Sequence, residues 1–350
     1  MLNRAQLAVC RMHRQFDILR RHMQLPETSR TPLVSSSGNS RLGVFQQPRR
    51  FAICHEGQGL HAQSIRAEQT SLGATELQQP QPLTVLEARQ QTRSLLDPEA
   101  HRIAGVTFEG RQEAVQKLQA DQAVMLEKDP KNEFDPNAIN VRTLSGTDLG
   151  FVPKELTGRF PHDVTFGHIH YVGQVPESGV WGALVAVRPT LVPLTVDAIP
   201  DSALPYASLS KLLSASEWDK LCRTTARAAN YRCQISGGSG PDEQNPVECQ
   251  ELWAFDDHRA EMRLVGLQAV CPEIFLAKRL LRQLDDKTRQ TAMWTLQAMN
   301  DWTIMEAEAY LQYVEGIARE RSQKQWVVDL SWLNPLGIQV PDTHSVKSAS

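Results

Sequence analysis

The 350-residue sequence has no apolar run approaching the roughly 18–20 residues that a membrane-spanning helix needs, so no membrane partner is expected. Cysteine is sparse, with six residues at 10, 54, 222, 233, 249 and 271 and no Cys-x-x-Cys pair. That spacing excludes a dense disulfide framework and suits a reducing compartment. No G-x-x-x-x-G-K-[ST] or G-x-G-x-x-G run is present. The Gly237-Gly238-Ser239-Gly240 stretch lacks the Lys and the strand-to-helix setting of a phosphate-cradling loop. Lysine is missing from the first fifty residues, which carry nine Arg and two acids, Asp17 and Glu27. Since the whole chain has a formal charge of −3, the other 300 residues hold −10. An acidic body disfavours sequence-blind coating of nucleic acid through many phosphate contacts. Any such contact must be local.

What is present falls into blocks. Residues 1–54 read as a targeting peptide, Arg-rich and acid-poor, with apolar Leu2, Leu7, Phe16, Ile18 and Leu19 among Arg4, Arg11, Arg14 and Arg20. The composition predicts a mitochondrial protein, with chloroplast as the alternative. A basic tail for polyanions is the plainer reading of the same residues. Residues 55–100 are Gln-rich around Gln79-Pro80-Gln81-Pro82 and are expected to be a disordered linker, with one helix near Leu83–Leu96. From residue 101 to 190, short apolar stretches alternate with turn residues. They are Ile103–Phe108, Ala123–Glu127, Ala138–Arg142, Leu149–Val152, Val164–Val175 and Trp181–Val187. Short strands at this spacing indicate a small all-β barrel. Residues 191–208 hold Pro at 193, 200 and 205, with Pro189 just before, and read as a Pro-rich linker. Residues 209–336 read as mostly helical, with capping boxes at Ser214/Glu217 and Thr303/Glu306. Residues 337–350 read as a disordered tail. His168 and His170 alternate on one strand and are taken as exposed strand residues, not metal ligands.

The run Lys128-Asp129-Pro130-Lys131-Asn132-Glu133-Phe134-Asp135-Pro136-Asn137-Ala138-Ile139-Asn140-Val141, followed by Leu149-Gly150-Phe151-Val152-Pro153-Lys154, resembles the HIRAN domain signature. The resemblance implies a barrel of the OB or SH3-like kind that holds the 3′ end of single-stranded DNA, or RNA. On that resemblance Phe134 and Phe151 supply stacking surface and Asp135 accepts from the terminal hydroxyl. Asn132 bonds a base or the backbone, and Lys154 meets phosphate. Phe134 stands where a Tyr is common, so a phenolic hydrogen bond is lost. The same residues also make a turn in their own right, since Asp135 and Asn137 are suited to bonding nearby backbone. Phe134 is equally suited to plugging a barrel end. Both readings stay open at this level.

Three stretches of the C-terminal half are similar to HNH-type endonuclease-like domains. They are Tyr231–Gly238, Pro246–Asp257 and Leu264–Phe275. Position by position the chemistry is missing. Ser236, Ile274 and Phe275 stand where the family has Cys, Cys and His, and Gln250 and Arg279 stand where it has His. Cys233, Cys249 and Cys271 remain as weak metal candidates, with Cys222 or His258 as a conceivable fourth ligand. No cofactor is expected, zinc included, and no catalytic residue is assigned. The fold expectation is α+β: a small all-β HIRAN barrel followed by a mostly α-helical, degenerate HNH-derived domain. The function expected is non-catalytic nucleic-acid binding in an organelle. The alternatives are an interaction or structural role in an organellar protein complex, and an active nuclease.

Overall fold

The computed structural model describes residues 84–108, 110–238, 247–338 and 340. The expected targeting peptide, the linker up to residue 83 and the tail from 341 lie outside the described residues. Helix α1 (Val85–Ser94) opens on a capping box in which Thr84 accepts from Glu87 N–H. Strand β1 (Glu99–Arg102) follows, then α2 (Arg111–Gln116), β2 (Ala123–Lys128), β3 (Ile139–Thr143) and β4 (Asp148–Phe151). A 3-10 turn at Lys154–Arg159 leads to β5 (Val164–Gln174) and β6 (Trp181–Val187).

These six strands form one antiparallel sheet in the order β1-β6-β5-β2-β3-β4. The sheet curls until its two ends meet. Ala104 N–H donates to Phe151 O at 2.8 Å, and Phe151 N–H donates to Ala104 O at 2.9 Å. Gly150 makes this seam possible. Its φ is +138°, and a Cβ there would run into the Ala104 carbonyl. The interior is filled by Val124, Leu126, Ile139, Val141, Leu149, Ile169 and Val185, all buried.

The second half contains α3 (Leu209–Leu212), α4 (Ala215–Ala228), β7 (Glu248–Asp256), β8 (Glu261–Val270) and α5 (Pro272–Lys278). Then come α6 (Asp286–Asn300), α7 (Ile304–Ser322) and β9 (Val327–Asp329). β7 and β8 pair antiparallel, and β8 pairs with β9 in parallel. Ser214 and Thr303 cap α4 and α7 with Glu217 and Glu306, as the sequence pattern predicts. The "mostly helical" expectation misses this three-stranded sheet. Its signal was present: Met262, Leu264 and Gly266 are buried while Arg263 and Val265 between them are exposed, the period of a half-buried strand.

The barrel and the second half are not joined by a free linker. Residues 191–208 were expected as one, yet Leu194, Val196, Ala198, Ala203 and Ala207 are buried. Asp197 N–H donates to Lys278 O at 2.8 Å. The physical reason is alternation: apolar side chains at 194, 196 and 198 line one side of an extended segment, which bare proline counting overlooks. β2 likewise works on both faces. Val124 and Leu126 enter the barrel interior, while Ala123 and Met125 join a core with Trp302, Tyr310 and Ile274. Phe166 meets Trp302 edge-on at 4.6 Å and Tyr310 at 5.5 Å. Two further boundaries shift. The helix expected near Leu83–Leu96 is α1, but it packs through Leu86 and Ala88 and β1 begins at Glu99 rather than in free linker, and Ile338 is buried in the core under β8 rather than in a tail. No helix among the described residues is long and apolar enough to cross a membrane.

Candidate nucleic-acid interface

The β2–β3 connection folds on its own side chains. Asn132 Oδ1 accepts from Phe134 N–H at 3.1 Å and from Asp135 N–H at 3.2 Å. Asp135 Oδ1 accepts from Asn137 N–H at 2.9 Å. These are the self-bonding turns that Asn and Asp favour. Their consequence is to push Phe134 outward: it is 93% exposed, the most exposed of the large apolar side chains described. It does not plug the barrel. Lys154, at the start of the 3-10 turn after β4, reaches back to Asp135 Oδ2 at 3.3 Å, and its side chain is 82% exposed. Four of the five predicted residues, Asn132, Phe134, Asp135 and Lys154, therefore meet at one place.

Asp135 is held below the usual carboxylate range, first by the Asn137 N–H and then by Lys154. It stays an anion, and so an acceptor, at neutral and mildly acidic pH. Asn132 is spent on the turn, so its predicted role as a base contact gives way to shaping the loop.

Phe151 departs from its predicted role as open stacking surface. It is half-buried at the barrel seam, with the Arg111 guanidinium carbon 4.9 Å from its ring centroid. Arg111 is itself buried and bonded to Asp148 Oδ2 at 2.9 Å and Gly105 O at 3.0 Å. Beside it stands Phe108, which the sequence pattern did not single out. Phe108 is exposed, and the Phe108 and Phe151 rings lie 3.8 and 3.6 Å from where a Cβ on Gly105 would sit. The available signal was an aromatic closing an apolar run just before the Gly110 turn. Asn140, opposite Phe151 in the sheet, keeps a buried Oδ1 with no partner among the described residues.

A family model matches this region over residues 102–182. The match is to the HIRAN domain. It covers about a quarter of the chain. Two crystal structures are similar to parts of the chain. A protein from Lactobacillus plantarum is 19% identical, covering 27% of this chain and 95% of its own, with a TM-score of 0.22. The HIRAN domain of human HLTF is 19% identical, covering 26% of this chain and 74% of its own, with a TM-score of 0.20. No curated protein matches the chain.

Two acids of the β7–β8 turn feel the charge of the β2–β3 loop. Asp256 is held below the usual carboxylate range by the Arg259 N–H, and Asp257 by Arg321; Lys131 of the β2–β3 loop adds to both. The β7–β8 turn thus brings two carboxylates within reach of Lys131's field.

The cysteine candidates separate. Ser236 N–H approaches Cys233 Sγ at 3.4 Å, and Ser236 Oγ lies 4.0 Å from Cys271 Sγ, all three buried. The Cys271 thiol bonds Cys233, which lowers the Cys233 pKa and raises that of Cys271. Ile274 is buried in the same core. Cys249 is not there; its partner is Cys222 of α4. Among the described residues no group of three or more His, Cys, Asp or Glu could hold a metal ion. Ser236→Cys with Ile274→Cys completes four thiols at this place. The double variant is expected to carry about one zinc per chain by elemental analysis, because four Cys make a closed tetrahedral site. A metal-free double variant of native-like fold would show that the positions do not converge.

Next to it, polar groups have closed on one another. Lys278 Nζ meets Asp197 Oδ1 at 2.9 Å, and Gln250 Nε2 donates to Asp197 Oδ2 at 2.9 Å. Arg279 meets Glu251 Oε2 at 3.0 Å and lies 3.7 Å over the Phe275 ring. Glu251 also accepts from Leu209 N–H at 2.9 Å. Each carboxylate has its cation, so this cluster is balanced.

Proposed function

We propose that the HIRAN domain binds single-stranded nucleic acid at its 3′ end. Phe134 stacks on a base, Asp135 accepts from the terminal hydroxyl and Lys154 contacts the adjacent phosphate. Phe108, and the exposed edge of Phe151, extend the stacking surface. The carrying observation is Phe134 itself, set in water beside an ion pair by a turn built to hold it there. A Phe left in water forgoes about 1.5–3 kcal/mol of burial, so an outward ring held this firmly fits a partner with a flat apolar face. Base stacking on an aromatic is worth about 1–3 kcal/mol and tolerates any base. A carboxylate beside a lysine suits a strand end, where a hydroxyl replaces the next phosphate.

The second half supports a non-catalytic role. Gln250, Ile274 and Phe275 of its β7–β8–α5 unit, and Ser236 in the segment before β7, stand at the positions where the endonuclease resemblance needs ligands and a base. Gln takes no proton at neutral pH, and Ile and Phe bind no metal. We read it as a former nuclease scaffold that now packs the HIRAN barrel in place. The Arg-rich first fifty residues support an organellar setting, mitochondrial before plastid.

The test is a fluorescence titration of the full chain with short single strands bearing either a free 3′ hydroxyl or a 3′ phosphate. Binding is expected to be weaker for the blocked strand and to weaken as salt rises. Equal affinity for the two ends would refute end recognition, and no binding at micromolar protein would refute the whole reading.

A further inference from the structure

A shallow cleft lies where the last turn of α1, the β5–β6 pair and the α6–α7 turn meet. It shares no residue with the HIRAN mouth. Arg93, His168, Arg188 and Asp301 line it, with Phe166 and Leu191 among the rest. His168 is not the free strand residue expected from alternation; its Nε2 lies 3.3 Å from Asp301 O and serves as the donor.

The charges here lean toward cation, unlike the balanced cluster around Asp197. Arg93 gives one nitrogen to Asp301 Oδ2 at 3.3 Å and one to Met299 O at 3.1 Å. Arg188 commits Nε to Leu96 O at 2.7 Å. Its two terminal nitrogens have no hydrogen-bond partner among the described residues. Arg89 is buried close by and donates only to backbone carbonyls, those of Met299, Val192 and Ile235. Burial first, and then Arg93, bring Arg89 down to about 9 and lower Arg188. Against three guanidiniums stand two exposed carboxylates, Asp301 and Asp97.

Two guanidiniums repelling across one cleft, one of them with an open fork, form a receptor for an oxyanion. We propose that this cleft binds a phosphoryl group. Two of its oxygens lie on the Arg188 fork, with Arg93 alongside, and Asp301 releases Arg93 to make room. The phosphoryl group comes either from free phosphate or from a nucleic-acid strand, and the two sources are separable.

The experiment is calorimetric titration of the full chain at constant ionic strength, with inorganic phosphate in one arm and a short single strand in the other. Phosphate is expected to bind in the millimolar range, and Arg188→Gln to weaken it about tenfold or more, the loss of a charge-assisted pair. Arg188→Lys keeps a cation without the fork and is expected to weaken it too, which covers a glutamine variant that fails to fold. Phe134→Ala should leave phosphate binding unchanged, so failure here is distinct from failure at the HIRAN mouth. If Arg188→Gln also weakens the strand, the strand is the source; if it weakens phosphate alone, free phosphate is. No phosphate binding by the native chain, or equal binding by the Arg188→Lys chain, would overturn the proposal.

Discussion

Asp197→Ala is expected to cost about 3 kcal/mol of unfolding free energy, read by urea denaturation of the full chain. Lys278 is 5% exposed, and Asp197 is its carboxylate at 2.9 Å. Removing the acid strands an ammonium where water reaches poorly, and Gln250 keeps only the Glu251 carbonyl of the two acceptors for its Nε2. Gln250 Oε1 already has no partner, so the amide cannot recover by flipping. The expected loss sits at the lower end of the range for breaking a buried pair, because the Asp197 side chain keeps 17% exposure. Pairing Asp197→Leu with Lys278→Met should recover much of it, since an apolar pair pays no desolvation. A loss under about 1 kcal/mol in the single variant would mean that the pair behaves as a surface contact.

Phe134→Ala is expected to weaken single-strand binding by about five- to a hundredfold, the equivalent of about 1–3 kcal/mol of stacking. Its thermal midpoint should stay where it is, because an exposed ring contributes little to folding. Phe151→Ala should behave in the opposite sense. Its backbone closes the barrel and its half-buried ring packs beside Arg111, so truncation should lower stability before it touches binding. Phe134→Trp should bind at least as well as the native chain. Loss of binding through Phe151 alone, with Phe134→Ala silent, would move the stacking surface to the seam.

The barrel was legible because its strands obey local rules. Ala123–Leu126 reads as a short apolar run buried on both faces, and the glycine and Asp-Pro turns bound each stretch. β1 was not, since Glu99-Ala100-His101-Arg102 offers no apolar pattern and is held by backbone pairing to β6. The cluster of Asn132, Phe134, Asp135 and Lys154 was legible from the HIRAN resemblance, because a turn carries its geometry in adjacent residues. Phe151's half-burial was not, because it depends on Arg111 and Ala104, some forty residues away in the chain. The same limit explains residues 191–208. Prolines suggested a tether, while the fixing partners, Lys278, Asn300 and Tyr310, lie far along the chain. Cys249 illustrates the remaining gap. The endonuclease resemblance grouped it with Cys233 and Cys271, and only the fold assigns it to Cys222.

Hydrogen–deuterium exchange on the full chain, with and without a saturating single strand, bears most directly on where nucleic acid sits. Protection should appear at residues 105–111, 132–137 and 151–156, and the β7–β8 turn should exchange as before. Protection confined to the second half, with those three segments unchanged by a strand that does bind, would contradict the barrel mouth as the seat.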